Sequence, residues 1–362
     1  MPVPPQPDPD DPIEQFVARM PKAEIHVHLE GSIQPRTLLE LARRNRVPLP
    51  ADDEAGLRDV FRYRDFPHFV DVFIACSDCL RTPDDFALIA AELGEQAAEQ
   101  NLRYVEAHFN PEPHVRKRGL TVEGLVDGLG RGREEARRRH GVEIRWIADG
   151  VRDSESGHGS VTQTVAWIAA LPPEAGVVAL GLGGNEVGNP PQRFVAPFAA
   201  AREAGLHVVA HAGETTGAET IWDSLRLLNA ERIGHGIRAA DDPALVAHLA
   251  ATGVPLEVCP TSNLCLGLVA DYAAHPFPAL DRAGVTVTVN SDDPALFGAS
   301  LTDEYRVLAR EYGYGPADLE RIAANAVRAA FLPPAERDAM LADFAAETAA
   351  LRAELGLDGV LG

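Results

Sequence analysis

Basic side chains are scarce in this chain. It has 33 Lys and Arg against 54 Asp and Glu in 362 residues, which gives a formal net charge of −21 at pH 7. Nucleic acids and anionic membrane surfaces are recognised through basic patches, so we expect neither as a partner. Long apolar runs are absent as well, since none reaches the roughly 18 residues that a membrane-spanning helix needs.

A secretory signal is the next feature that the sequence lacks. The N-terminal stretch MPVPPQPDPDDP has neither the basic segment nor the apolar segment of a signal peptide. Its proline and aspartate content predicts a disordered or extended tail over residues 1–12. We therefore expect a cytoplasmic protein with a single domain over residues 13–362. The sequence does not indicate an oligomeric state.

Cysteine is rare too, and four cysteines do not make a disulfide framework in a chain of this length. Cys76 and Cys79 form a CxxC pair, which is compatible with a redox pair or half of a zinc site. However, no second CxxC occurs, and the surrounding FVDVFIACSDCL has the composition of a buried helix. We interpret both cysteines as small buried apolar residues.

Short runs rich in β-branched residues alternate along the sequence with long stretches rich in alanine and leucine, and this alternation indicates the fold. Alternation of strand and helix requires parallel pairing, and eight such units predict an α/β fold of the (β/α)8 TIM-barrel type. An open doubly wound sheet is the alternative, but no GxGxxG turn follows the first strand. The predicted strands cover 23–30, 102–109, 142–149, 177–184, 206–213, 231–236, 254–260 and 285–292.

Helical patterns fill most of the remaining chain. Residues 121–140, 194–205 and 242–253 are predicted helices between strands, and the chain after residue 300 is helical to its end. The segment 31–101 is too long for one crossover, so we expect several extra helices over the C-terminal mouth of the barrel. Phe61, Phe66 and Phe69 in this segment would form either an apolar lid or a helix core.

Ionisable residues gather at the ends of four predicted strands, which is where barrel enzymes keep their chemistry. In the first strand the i and i+2 residues share a face, so His26 and His28 project together. Buried charges are costly unless they are paired or bound to metal, and imidazoles with a carboxylate suit zinc. We therefore predict a metal site. The strand-end residues are His26, His28, His211, Glu214, His235, Asp292 and Asp293.

Five motifs occur in an order that resembles one family. MPKAEIHVHLEGS, HAGE, ERIGHG, CPTSN and VNSDDP are similar to the adenosine deaminase branch of the amidohydrolase superfamily, over residues 20 to about 335. The resemblance implies a (β/α)8 barrel that removes ammonia hydrolytically from C6 of a small aminopurine substrate. It also implies one zinc ion, Zn2+, with His26, His28, His211 and Asp292 as its ligands.

The same resemblance implies the roles of the other residues. Glu214 is expected to shuttle a proton to purine N1, and His235 with Asp293 to activate the water. The backbone of Gly184 is expected to contact purine N3, and His28, Glu30 and Asp293 to line the substrate pocket. These expectations come from the family pattern and not from the spacing of the residues.

Two positions leave the substrate open. Glu30 stands where typical adenosine deaminases carry an aspartate, and together with NEVGNPP it is more similar to adenine deaminases. Gly184, in contrast, stands where adenine deaminases tend to carry serine. We favour an adenosine-like nucleoside, with free adenine and a nucleoside modified at the 5′ position, such as aminodeoxyfutalosine, as alternatives.

Two further interpretations compete with this one. A hydrolase with two metals would need a bridging side chain after the fourth strand, where Glu186 is the only candidate, so one metal is favoured. A non-catalytic barrel would be signalled by the loss of a ligand, of Glu214 or of Asp293. None of these residues is missing.

Overall fold

Eight parallel strands form the centre of the protein, seen here in a computed structural model that describes residue 5 and residues 8–152 and 159–358. Each strand pairs with the next in chain order. The strands are β1 (Lys22–His28), β2 (Leu102–Phe109), β3 (Glu143–Arg152), β4 (Val177–Gly184), β5 (His207–Ala212), β6 (Arg232–His235), β7 (Leu256–Val258) and β8 (Val287–Val289).

The first and last strands meet through two backbone hydrogen bonds. The N–H of His28 donates to the carbonyl of Asp292 over 2.7 Å, and the N–H of Asp292 donates to the carbonyl of His26 over 3.2 Å. This bridge brings the two edges of the sheet together, which confirms the predicted (β/α)8 barrel. It also places the histidines of β1 beside the residues that follow β8.

Sixteen α-helices surround the barrel in the described residues. Four of them, α2 to α5, occupy the long segment between β1 and β2, and three follow residue 300, as predicted. The helices are α1 (Pro12–Arg19), α2 (Pro35–Asn45), α3 (Glu54–Val60), α4 (Phe66–Ser77), α5 (Pro83–Glu99), α6 (Val122–His140), α7 (Gly159–Ile168), α8 (Val195–Glu203), α9 (Ala218–Asp223), α10 (Pro243–Thr252), α11 (Pro260–Cys265), α12 (Phe277–Arg282), α13 (Pro294–Phe297), α14 (Leu301–Arg310), α15 (Pro316–Ala329) and α16 (Pro334–Leu355).

The last two strands are shorter than predicted. β7 and β8 have three residues each, whereas the sequence pattern suggested seven and eight. One residue separates β7 from Pro260, which begins a short helix, and four residues separate β8 from Pro294, which begins another. Proline has no N–H for a sheet and is favoured in the first turn of a helix. The residues after β8 are therefore released from the sheet and can turn into the barrel mouth.

Helix α4 lies beside the C-terminal end of β1. Phe61 is 1% exposed, and the ring of Phe69 stacks on Phe297 with centroids 5.2 Å apart, so both belong to the core that supports the mouth. Phe66 is half-buried against this core. Phe73, one turn after Phe69, has its ring centroid 6.2 Å from that of His28 and faces the site.

The cysteines and the two ends of the chain bear on the remaining predictions from the sequence. Cys76 and Cys79 are free and buried, as expected, and burial raises the pKa of Cys79 to about 12. Half of the predicted tail, residues 1–4 and 6–7, lies outside the described residues, and α1 begins at Pro12 with Asp11 as its cap. The single domain over 13–362 stays a prediction. Among the described helices, none combines the length and apolarity that crossing a bilayer requires.

Candidate active site

Four ring and carboxylate atoms converge at the C-terminal end of the barrel. Nε2 of His28 lies 3.3 Å from Nε2 of His211 and 3.3 Å from Oδ1 of Asp292. Nε2 of His26 lies 3.5 Å from the same Oδ1. We call these four residues the mouth cluster. A tetrahedral zinc ion with bonds of about 2.0–2.1 Å would hold its ligand atoms about 3.3–3.4 Å apart, so the spacing fits such an ion.

Electrostatics at the mouth cluster also suit a cation. Nε2 of His26 is buried and has no hydrogen-bond partner. Burial opposes a charge on His28, yet the carboxylates of Asp293, Asp292 and Asp149 raise its pKa to about 10. The acidic groups therefore create a negative potential at a point where three imidazole nitrogens meet. A divalent cation would satisfy both the potential and the ring nitrogens.

Three members of the mouth cluster are oriented by a second group. Nδ1 of His26 lies 2.7 Å from Oε2 of Glu257, and Nδ1 of His211 lies 3.1 Å from the carbonyl oxygen of Leu182. Ser262 donates its hydroxyl to Oδ2 of Asp292 over 2.6 Å. Contacts of this kind fix the ring orientation and tautomer of metal-binding histidines.

Two of the five described non-glycine residues with positive φ lie in the same place. Asp292 has φ +63° and His235 has φ +58°, both in the left-handed region that residues other than glycine rarely adopt. Such conformations persist where the surrounding structure enforces them, and they cluster at functional sites. At Asp292 the strained turn directs the side chain toward the histidines of β1.

Three more of the predicted residues lie around the mouth cluster. Nε2 of His235 is 3.7 Å from Oε1 of Glu214 and 3.9 Å from Oδ2 of Asp292. Burial raises the pKa of Glu214 well above its usual range, and the Asp292 carboxylate raises it further. Burial also lowers the pKa of His235 to about 4. Glu214 is therefore a candidate proton donor, and His235 is a neutral ring near pH 7.

Asp293 is buried next to these groups, and Oδ1 of its carboxyl has no hydrogen-bond partner. Burial and the charge of Asp292 raise the pKa of Asp293, and the charges of His28 and His26 oppose this rise. A divalent cation at the mouth cluster would also lower this pKa, which would leave the carboxylate free to accept a proton. Gly31 makes room for it, because a Cβ at Gly31 would lie 1.8 Å from Oδ1 of Asp293. The glycine of the HLEGS motif is thus a packing requirement of the site.

The loop that carries Glu214 is hydrogen-bonded to Glu186. Its carboxylate accepts the backbone N–H groups of three consecutive residues, Gly213, Glu214 and Thr215, at 2.9–3.0 Å. The hydroxyl of Thr216 donates to it as well, over 2.7 Å. Within the described residues Glu186 belongs to no group that could hold a metal ion. The sequence analysis named it as the one candidate for a bridging ligand and favoured a single metal, and its contacts are those of a loop anchor.

The two remaining predicted substrate residues stand at the ends of β1 and β4. Oε1 of Glu30 accepts the N–H of Asn110 over 2.9 Å and lies 3.2 Å from Nε2 of His114, while its Oε2 is buried without a partner. Gly184 has φ +90°, a conformation suited to glycine. The sequence analysis did not predict the roles of Asn110 and His114.

A further buried pair was also missed. Nδ1 of His108 on β2 lies 2.9 Å from Oδ1 of Asp149 on β3, and the other oxygen of Asp149 is 3.7 Å from Nδ1 of His28. A Cβ at Gly181 would lie 1.8 Å from Asp149, so that glycine leaves space for the carboxylate. Polar residues within otherwise apolar strands were the available signal, as in YVEAHF.

With this geometry in hand, comparison with known proteins places the chain in a family. The family model described as adenosine deaminase matches residues 21–347. This chain belongs to the adenosine deaminase family. It is 43% identical over 341 residues to the aminodeoxyfutalosine deaminase of Streptomyces avermitilis, which covers 93% of this chain and 94% of that protein. It is 37% identical over 334 residues to the adenine deaminase of Cupriavidus necator, covering 92% and 94%.

Solved structures agree with this membership. The adenine deaminase of Arthrobacter aurescens superposes with a TM-score of 0.85 at 35% identity, covering 90% of this chain and 98% of the other. An amidohydrolase from Burkholderia ambifaria with bound Zn superposes with a TM-score of 0.86 at 28% identity, covering 95% and 94%. The protein is a hydrolytic deaminase that acts on a C–N bond of a purine, as expected, and its family is metal-dependent.

Proposed function

We propose that the protein is a zinc-dependent deaminase of a 6-aminopurine nucleoside, and that a nucleoside extended at the 5′ position is its best substrate. The observation that carries the proposal is the convergence of the mouth cluster, with Glu214 and His235 beside it. In this proposal His26, His28, His211 and Asp292 hold one zinc ion. Zinc, when bound, would supply Lewis-acid activation of a water molecule near neutral pH.

The residues around the zinc site divide the proton transfers between them. The raised pKa of Glu214, caused first by burial, keeps this carboxyl protonated, so that it can donate its proton to ring nitrogen N1. His235 and Asp293 orient the water and accept a proton as its oxygen bonds to C6. The proton taken from the water then passes to the amino group, which leaves as ammonia, and the hydroxyl proton returns to Glu214 as C6 becomes the carbonyl of the 6-oxopurine.

Substrate binding is assigned to residues at two strand ends. The backbone of Gly184 at the end of β4 would contact purine N3. Glu30 would accept a hydrogen bond from a sugar hydroxyl through Oε2, the buried oxygen that has no partner within the protein. The other oxygen is fixed by Asn110 and His114, so this carboxylate is held in one orientation. His28 and Asp293 would line the same pocket.

The choice of a 5′-extended nucleoside rests on the relatives. Identity is 43% and 44% to the aminodeoxyfutalosine deaminases of two Streptomyces species, against 37% to the adenine deaminase of Cupriavidus necator. Free adenine is the second candidate, because the superposed Arthrobacter aurescens structure is an adenine deaminase. A buried polar group that binds a substrate hydroxyl can favour that substrate by ~10⁴-fold in kcat/KM over one without the hydroxyl. Pocket size alone gives about 10–200-fold.

Steady-state kinetics with aminodeoxyfutalosine, adenosine and adenine tests the proposal. We expect kcat/KM to fall in that order. Glu30→Gln should lower kcat/KM for both nucleosides by about tenfold or more and leave a residual activity on adenine nearly unchanged. A higher kcat/KM for adenine than for either nucleoside would contradict the choice of substrate and favour the second candidate.

A further inference from the structure

The CPTSN motif contains a buried amide that the proposed mechanism does not use. Asn263 lies in α11 with no exposed surface, and its side chain contacts His235 on one side and His275 on the other. His275 is 4% exposed and precedes α12. The three side chains form a hydrogen-bonded chain that leads from the backbone of Phe277 to the active site.

The direction of donation along these hydrogen bonds is fixed at the end that begins with Phe277. The backbone N–H of Phe277 can only donate, and it donates to Nδ1 of His275 over 3.1 Å. A neutral imidazole carries one proton, so the proton of His275 lies on Nε2. Burial, assisted by the nearby His235, lowers the pKa of His275 to about 3, which keeps this ring neutral near pH 7.

The same direction of donation continues from His275 through the side-chain amide of Asn263. Nε2–H of His275 donates to Oδ1 of Asn263 over 3.1 Å. The amide nitrogen of Asn263 is therefore the atom that faces His235, and it donates to Nδ1 over 3.3 Å. A neutral His235 that accepts at Nδ1 has its proton on Nε2. Nε2 is the nitrogen that lies 3.7 Å from Oε1 of Glu214.

We propose that Asn263 and His275 are positioning residues that hold neutral His235 with its proton on Nε2. His235 then presents an N–H donor to the oxygen of the reacting water. Asp293 is left as the acceptor of the water proton, at the oxygen Oδ1 that has no partner within the protein. The water oxygen bonds to C6 as its proton passes to this carboxylate. The inference rests on the proposed function, because it divides one proposed role between two residues.

A purely structural role for Asn263 is the competing interpretation. Its backbone carbonyl accepts the N–H groups of Leu268 and Val269 at 2.9 and 3.3 Å, which shapes the turn after α11. These contacts do not involve the side chain and would survive its substitution. Substitutions that keep the shape of the side chain but change its donors and acceptors therefore separate the two roles.

Asn263→Asp is the decisive variant. Aspartate has nearly the shape of asparagine but only accepts hydrogen bonds when ionised, so it would draw the proton of His235 onto Nδ1. We expect kcat to fall by about 10²-fold or more, as for a catalytic histidine held in the wrong tautomer, with zinc content and KM little changed. His275→Gln is the conservative comparison, because the glutamine amide can donate to Asn263 in place of Nε2–H, and kcat should fall far less than in Asn263→Asp.

Imidazole ¹⁵N NMR of the zinc-loaded enzyme reads the tautomer directly, with the His235 signals assigned by their loss in His235→Ala. We expect protonated Nε2 and unprotonated Nδ1 in the parent, and the reverse in Asn263→Asp. A proton on Nδ1 in the parent overturns the inference, as does an unchanged kcat in Asn263→Asp. Should Asn263→Asp not fold, the parent spectrum still decides. A parent that binds zinc but deaminates no purine would instead refute the proposed function.

Discussion

Arg232 lies between two carboxylates at the start of β6, whereas the mouth cluster, at the C-terminal end of the strands, brings three ring nitrogens together with one carboxylate. Nε of Arg232 is 2.5 Å from Oε1 of Glu257, and its Nη1 is 2.6 Å from Oε2 of Glu106. We call these three residues the floor cluster. In the floor cluster each charge has an opposite charge beside it, as buried charges require.

The floor cluster is also sealed by the protein itself. The guanidinium of Arg232 lies 3.9 Å from the ring centroid of Phe331 and donates to the carbonyl of Ala329 over 2.9 Å. The N–H of Phe331 donates to Oε1 of Glu106 over 2.6 Å. The connection between α15 and α16 therefore covers this end of the barrel. The difference teaches that buried charge serves the fold where opposite charges pair under a cover of protein, and that it marks a candidate ligand site where the cluster lies at the mouth.

Removal of the proton donor at the mouth should have the largest effect. Glu214→Gln keeps the shape of the side chain but cannot deliver the proton, so we expect kcat to fall by ~10²–10⁴-fold with zinc content and stability unchanged. Glu219→Gln, on the exposed start of α9, is the control and should retain activity. A loss of less than about tenfold in Glu214→Gln would argue against its role.

Removal of a charge from the floor should affect stability instead. In Glu106→Gln the remaining amide oxygen can still accept from Phe331 and from the hydroxyl of Tyr104, but Arg232 loses one ion pair. Loss of one partner of a buried pair costs about 3 kcal/mol, which is about 10²-fold in the unfolding equilibrium. Urea unfolding measures this change, and kcat should be unaffected. Equal free energies of unfolding in Glu106→Gln and the parent would contradict the difference between the floor cluster and the mouth cluster.

Substitution of Glu186 should have an effect on rate smaller than that of Glu214→Gln. The Glu186 carboxylate is hydrogen-bonded within the protein, and it anchors the loop that carries Glu214. In Glu186→Gln an amide group would face the N–H of Gly213, which displaces the loop and Glu214 with it. A displacement of about 1 Å can cost up to 10²-fold in rate, so we expect kcat to fall by about 10–100-fold at unchanged zinc content. Thr216→Val removes only one donor to the same carboxylate and should cost less than about threefold.

Lys22 is the exception at the floor end. It is fully buried at the start of β1, donates to the carbonyls of Met20 and Gln100, and has no carboxylate of the described residues within ion-pair distance. Burial, assisted by the charge of Arg306, lowers its pKa to about 7. The folded chain therefore loses this proton near pH 7, whereas the unfolded chain keeps it to about pH 10.

The sign of the pH effect follows from these two values. Between about pH 7 and 10 the unfolded state binds more protons, so Lys22 makes stability rise with pH by about 1.4 kcal/mol per pH unit. Relative to Lys22→Met, the parent should gain this amount between pH 7.5 and 8.5 in urea unfolding at fixed zinc concentration. A difference between parent and variant that does not change with pH would show that Lys22 is charged in the folded protein.

The sequence predicted the barrel and the mouth cluster because strand alternation and strand-end polarity are local patterns. It predicted β7 and β8 too long, since the apolar pattern continues toward Pro260 and Pro294 where the backbone leaves the sheet. The partners of Glu257 and of Asn263 could not be predicted, because each contact joins residues from different strands or loops. Such pairings depend on the register of the closed barrel.

Zinc content measured together with ammonia release, in the parent and in His211→Ala, tests the central claim most directly. We expect about one zinc ion per chain in the parent and release of ammonia from a 6-aminopurine nucleoside. In His211→Ala both should be lost together, while the floor cluster keeps the protein folded. Full zinc occupancy in His211→Ala, or a zinc-loaded parent that releases no ammonia from aminodeoxyfutalosine, adenosine or adenine, would contradict the claim.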